Sequence, residues 1–222
     1  MHKITLVCSV HRENGLCNAG ELLKILRAIE PETIFEEVRP SDFDSYYKNK
    51  RSLEAQAITK YAESKLFKQV PVDRYDMPAN LTAEIKRDVD RVFNYVEQKS
   101  EEYRVLMDEN DNSVSRYGFK YLNSVAFATL MARKSEIEEK TIIETGDHGL
   151  IRALQWWCHH IQRRELEMVS NIYDYCRKNV FDTGVFLVGA AHKTGIVKEI
   201  EKYASMEADL INWNFAYDSR IP

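Results

Sequence analysis

Two stretches of this chain each deliver a histidine just past a run of apolar residues. Val185-Phe186-Leu187-Val188 leads into Gly189-Ala190-Ala191-His192, and Ile4-Thr5-Leu6-Val7 leads into Cys8-Ser9-Val10-His11. A continuous apolar run ended by small residues reads as a buried strand of a parallel sheet. Open α/β sheets hold ligands at the carboxyl ends of their strands, and an imidazole there can move a proton or bind a metal. Other strand ends carry charge as well. Glu36, Glu37 and Arg39 follow Thr33-Ile34-Phe35, and Asp73 and Arg74 follow Gln69-Val70-Pro71-Val72. Parallel strands put all these residues on one rim. Histidines, carboxylates and arginines gathered there suit general acid–base work on water, or the grip of an anionic group.

The elements that must position them follow from the spacing of apolar residues. Leu22, Leu23, Ile25, Leu26 and Ile29 mark a helix from about Ala19 that Pro31 stops. Strand, helix and the second strand, Thr33 to Val38, form a parallel βαβ unit. Asp42 to about Phe67 reads as one helix with Leu53, Ala57, Tyr61 and Leu66 inward, before a short third strand at 69–72. Residues 81 to about 178 read as a helical insertion between strands three and four. It holds an amphipathic helix through Ile85, Val89, Val92, Phe93 and Val96, then a loop near 108–113. A second helix follows from Val114 to Lys140, and a long one runs from a cap at Thr145 or Asp147 to about Lys178.

That long helix carries an apolar line through Leu150, Leu154, Trp157, Ile161, Met168, Ile172 and Cys176. The line is interrupted, and Arg164 or Glu165 fills the gap. A charge on a buried stripe needs a partner or a polar site, so Arg164, Glu165 and, seven residues on, Asn171 join the candidate rim. The fourth strand is the run ending at Gly189. Thr194 reads as the cap of the last helix, and 210–215 as an edge strand. The expected fold is α/β, a mostly parallel sheet of about four or five strands with flanking helices and a helical cap. It forms one domain over 1–222 with the insertion at about 81–178.

Composition agrees. Across 222 residues, 44% are hydrophobic and 30% charged, the balance of an ordinary globular protein. A net charge of -4 argues against a general nucleic-acid binder. No apolar run is long enough to serve as a signal peptide or cross a bilayer, so the expected setting is cytoplasmic, away from membranes. The cysteines Cys8, Cys17, Cys158 and Cys176 show no C-x-x-C spacing and read as reduced thiols. No serine or cysteine sits in a G-x-S-x-G elbow. His2 reads as a disordered terminus, and His159 and His160 face different ways on one helix. Oligomeric state leaves no signal.

Taken in order, these segments resemble the TraB/TIKI group, related to erythromycin-esterase and ChaN-like proteins. Cys8-Ser9-Val10-His11 stands in place of that group's first G-x-x-H. Pro31 to Val38 resembles its proline-to-glutamate strand, with Glu37 on the group's glutamate. Asp73-Arg74 and Arg163-Arg164-Glu165 match its charged segments, and Val188 to Ile196 closely matches its last motif. Cys8 replaces a glycine, and Arg163-Arg164 replaces a Glu-Arg pair. The resemblance implies a hydrolase, peptidase- or esterase-like, acting on a small-molecule or peptide substrate. In its metal-dependent form His11, Glu37 and His192 would hold Mn, Co or Zn. In its metal-free form one histidine would act as base, oriented by Glu37. Arg164 would stabilise charge, and Glu36, Arg39, Asp73, Arg74, Glu165 and Asn171 would bind substrate. The alternative on the same fold is a non-catalytic haem- or anion-binding module, or a toxin or interaction domain using Trp156 and Trp157.

Overall fold

The computed structural model describes residues 1–49, 52–73 and 79–215. Among them are five strands: β1 (His2–Ser9), β2 (Thr33–Glu36), β3 (Lys68–Pro71), β4 (Thr183–Gly189) and β5 (Ile211–Asn214). They form one all-parallel sheet in the order β3-β2-β4-β1-β5. The expected βαβ unit therefore exists, but its strands are not neighbours. β4 lies between β1 and β2, with Ser9 paired to Gly189 on one side and Glu36 to Leu187 on the other. Sheet order reverses around β4, and such a switch point leaves a crevice at the carboxyl ends. The residues that leave β1 and β2 there flank the end of β4.

The helices are α1 (Ala19–Ile29), α2 (Phe43–Asn49), α3 (Leu53–Ala62), α4 (Ala79–Lys99), α5 (Glu101–Leu122), α6 (Val125–Ile143), α7 (His148–Lys178) and α8 (Lys193–Met206). α1 packs on α3, and α7 on α8. Ile4, Leu6, Ile34, Phe35, Val185 and Phe186 form the centre of the main core with Leu22, Leu26, Met168 and Ile172. α4 to α7 form the insertion between β3 and β4, with a second small core of Val92, Val96, Ile142, Leu150 and Leu154. The 31-residue α7 joins the two. Its first half packs in the insertion core and its last turns in the sheet core. Among the described residues no helix is long and apolar enough to cross a membrane.

Several local expectations differ from the structure. Residues 42–67 are not one helix. A 3-10 turn (Pro40–Asp42) leads into α2, and Ser52 caps α3 by accepting from the Ala55 N–H at 3.1 Å. Leu66 lies beyond the helix and is 97% exposed. Residues 108–113 are helical within α5, the chain kinks at Gly118 (φ 55°), and the helix ends at Asn123-Ser124, where the Ser124 hydroxyl accepts from Phe127 N–H. The run of polar residues at 108–113 lies on a largely solvated helix face. Beyond Glu36 the second strand turns, with Val38 N–H bonding back to Glu36 O (2.8 Å) while Glu37 N–H still donates to Leu187 O of β4 (3.3 Å). Thr194 caps nothing; a 3-10 turn (Ala190–His192) feeds α8 directly, with no side-chain cap bond. His2 is ordered and buried. Its ring stacks on Phe181 and its nitrogens face Phe181 O (2.8 Å) and Cys176 O (3.0 Å).

β5 covers only the first half of β1, from His2 to Thr5. Beyond it the edge of β1 is closed by Asn123. The Asn123 side chain accepts from Cys8 N–H (2.9 Å) and donates to Cys8 O (3.0 Å), in place of a further strand. Lys193 in turn donates to Asn123 O at 2.5 Å. Replacing Asn123 with alanine strands both backbone groups. Loss of such bonds costs about 1–3 kcal/mol, and Asn123→Ala should lower stability by that amount in denaturant titrations. A shift under about 0.5 kcal/mol would show that solvent replaces the clamp.

Candidate active site

The Glu37 carboxylate is the centre of the rim. Just past β2 it reaches under the end of β4, where Oε2 accepts the Gly189 N–H at 2.7 Å. Oε1 receives Arg164 Nη2 at 2.8 Å and lies 3.1 Å from His192 Nε2. Gly189 has an ordinary negative φ, so backbone freedom is not why glycine stands there. Space is the reason: a Cβ would lie 3.1 Å from Glu37 Oε2.

His192 is buried between two carboxylates. Nδ1 lies 2.9 Å from Glu165 Oε1, and Nε2 faces Glu37. Both nitrogens must carry hydrogen to satisfy these acceptors. Burial alone would lower the His192 pKa, but the bonds to Glu165 and Glu37 outweigh it and push it up to about 9. Burial likewise opposes an ionised Glu37, yet His192, Arg164 and the Gly189 N–H hold it down to about 2. The pair is imidazolium and carboxylate at neutral pH, so neither is a general base. Glu165 reaches His192 through a gap in α8, where a Cβ on Gly195 would fall 1.9 Å from Glu165 Oε2.

Arg164 binds Asp73 as well as Glu37, through Nη2 (2.8 Å) and Nε (3.3 Å) to Oδ2. Asn171, two turns along α7, donates to Val72 O at 2.9 Å and fixes the segment that carries Asp73. Arg164 and Glu165 thus both fill the gap in the α7 stripe, at the point where the helix passes from the insertion onto the sheet.

His11 is placed differently. Its side chain is 61% exposed against 8% for His192. Nε2 lies 3.7 Å from the Cβ position of Gly189, and His192 Cδ2 lies 3.8 Å from the same point, so the two imidazoles flank one glycine. The carboxylate beside His11 is Glu54 of α3, not Glu37: its Oε1 is 3.4 Å from His11 Nδ1 and accepts the Ser9 hydroxyl at 2.6 Å. The His11 pKa is raised, first by Glu54 against the opposing effect of burial. Glu54 was legible in principle. With Ile58 and Tyr61 it makes an apolar stripe interrupted by a charge, the signal that exposed Arg164.

The remaining candidates separate. Glu36 is buried outside the Glu37 network, bonded by Tyr47 and by Gln69 Nε2 (3.2 Å), and burial pushes its pKa up to about 7. Arg39 turns to Asp42 in its own turn (2.8 Å) and touches none of the site carboxylates. Asp73, Glu165 and Asn171 act on protein groups. Arg74 lies outside the described residues.

His11, Glu37, Arg164, Ala191 and His192 form the floor of a cleft of about 880 Å³. Its walls are the insertion helices, with Phe93, Tyr103, Met131, Ile142, Leu154 and Trp157 facing in. His159 lines it too, whereas His160 stacks on Trp156. A volume of this order suits a ligand of drug size.

The residues do not fit a metal ion as placed. Both nitrogens of His192 and both oxygens of Glu37 are engaged by protein groups, and His11 faces Glu54. Among the described residues no three of His, Cys, Asp and Glu stand close enough to hold one ion.

Two outcomes test this network. Alanine exceeds glycine in helix propensity by about 1 kcal/mol, so propensity alone has Gly195→Ala stabilise the protein. Displacement of Glu165 should reverse that sign, and a thermal melt reads the difference. The second is the pH profile of stability. Glu37 contributes above its ordinary 4.5, and the contribution is lost as pH falls toward 2. His192 contributes fully below 6.5, and the contribution is lost as pH rises through 9. Glu36 keeps its proton between 4.5 and 7 when the unfolded chain has released it, so stability falls over that range too. Tm should peak near pH 4.5 and decline steadily to pH 9; a rise between pH 5 and 8 would contradict the assigned charges.

Compared with known proteins, the chain matches no family model, and no curated protein or solved structure is significantly similar to it.

Proposed function

We propose that this protein is a hydrolase of TraB/TIKI type that works without a metal, with His11 as the base that activates water. One observation carries the reading. Of the two strand-end histidines, His192 is locked between carboxylates, while His11 is exposed and presents Nε2 over Gly189 on the floor of a large cleft. An imidazole with an accessible nitrogen is suited to general base catalysis.

In this scheme a substrate lies along the apolar walls with its carbonyl carbon above Gly189. His11 Nε2 takes a proton from water as the water oxygen bonds to that carbon. Arg164, on the cleft floor, offers positive charge to the oxyanion that forms. The tetrahedral species then collapses, and the alcohol or amine leaves with the proton from His11. Glu37 and His192 stay paired throughout and hold the floor in shape. The apolar walls favour an ester or amide with a sizeable apolar body.

The test is hydrolysis of p-nitrophenyl esters from acetyl to dodecanoyl, in EDTA. Activity should survive EDTA, should rise with acyl length, and should fall by about 10²-fold or more in His11→Asn, the scale of a general base. Unchanged turnover in that variant, or loss of turnover in EDTA restored by Mn or Zn, would overturn the scheme.

A further inference from the structure

Resting on the reading of His11 as the base, we infer that Glu54 is its positioning residue, setting both the direction of the ring and which nitrogen carries the proton. The chain places the two together by two routes. The Leu53 N–H donates to His11 O at 3.3 Å, so the first turn of α3 holds the backbone of His11 while the next residue, Glu54, faces its ring. The Ser9 hydroxyl, two residues before His11, donates to Glu54 Oε1 at 2.6 Å and aims that oxygen at His11 Nδ1.

Glu54 is a buried carboxylate, 6% exposed, on a helix face shared with Ile58 and Tyr61. Nothing in the packing of α3 calls for a charge there. Its second oxygen, Oε2, is buried with no hydrogen-bond partner among the described residues. A structural carboxylate would have both oxygens saturated, as Glu37 does. Glu54 instead lines a small space with His11, Ser9, Glu36, Tyr46 and Gly189, and keeps one acceptor oxygen unused.

The His11–Glu54 separation of 3.4 Å is that of an ion pair and not of a formed hydrogen bond. Base–carboxylate contacts are often long without substrate and tighten in the complex. A carboxylate at Nδ1 selects the tautomer with hydrogen on Nδ1, which leaves the lone pair on Nε2, the nitrogen over Gly189. A free imidazole favours the opposite tautomer, with its lone pair turned away from the cleft. Glu54 thus decides whether His11 can take a proton from water at the cleft floor.

The experiment is a two-dimensional ¹H–¹⁵N spectrum of histidine-labelled protein above pH 8, with His11 identified by its absence in His11→Asn. The expected result is the Nδ1–H tautomer in the wild type and a shift toward Nε2–H in Glu54→Gln. On the ester panel, kcat in Glu54→Gln should fall by about 10²-fold with KM within about twofold, the pattern of a misaligned base. Glu54→Asp should recover part of that loss. A wild-type His11 already in the Nε2–H form overturns the inference, whether or not Glu54→Gln folds. A tautomer unchanged by Glu54→Gln overturns it equally. If the tautomer depends on Glu54 while the wild type hydrolyses none of the esters, the positioning role stands and the hydrolase reading falls.

Discussion

The rim of this sheet is built around one saturated carboxylate. Glu37 is buried, and a buried carboxylate left unpaired is unstable by several kcal/mol. Here Gly189 N–H, Arg164 and His192 each take a share of the charge. Much else follows from that requirement. Glycine at position 189 lets the carboxylate approach the backbone without crowding from a Cβ. Arg164, divided between Glu37 and Asp73, ties the ends of β2 and β3 to α7. His192, divided between Glu37 and Glu165, ties the end of β4 to the same helix. Position 195 must be glycine so that Glu165 can reach His192. A buried polar network with every member satisfied specifies one arrangement, because any slip of α7 along the sheet would leave charges unpaired.

Topology explains why the network sits where it does. β4 enters between β1 and β2 after a helical excursion of about a hundred residues. Its end is therefore flanked by two chains already in place, one carrying His11 and the other Glu37. The excursion is also what turns a shallow crevice into a cleft. Parallel strands alone leave their carboxyl ends open; here α4 to α7 raise apolar walls above them and α7 returns to the sheet beside the site. Those walls rest on two supports, the second small core in the insertion and the sheet core, into which Val114, Phe119, Leu122 and Phe127 pack.

Much of this was legible in the chain. The apolar runs located the strands, and the gap in the stripe of α7 located Arg164 and Glu165, since a charge on a buried face must have a partner. Glu37 and His192 were legible as strand-end residues, and they do converge. Strand order was not, because residues 5 and 185 carry no mark of adjacency. Nor was the division of labour among carboxylates. Glu36 and Glu37 are neighbours with the same side chain, and one enters the network while burial pushes the other toward its neutral form against the bonds from Tyr47 and Gln69. That outcome depends on where β2 turns, with Val38 N–H bonding back to Glu36 O. Glu54 escaped notice because it sits near the start of a short helix, where acidic residues are common for reasons of helix polarity alone.

The two histidine motifs look alike in sequence and differ in kind. In the second, glycine lets Glu37 bind the backbone, and the histidine three residues on is drawn into the same charge network and fixed. In the first, Cys8 stands where that glycine would be. Its side chain is wholly buried in the core, its thiol is pushed up to about 12 by burial, and its backbone is bound instead by the Asn123 amide along the open edge of β1. An amide that binds edge-on needs no missing Cβ, so cysteine is tolerated without distorting the strand end. His11 emerges on the surface of the cleft, its Nδ1 beside Glu54. The departure from glycine at Cys8 is thus compatible with an accessible histidine, and the difference between Cys8 and Gly189 separates an exposed histidine from one locked between carboxylates.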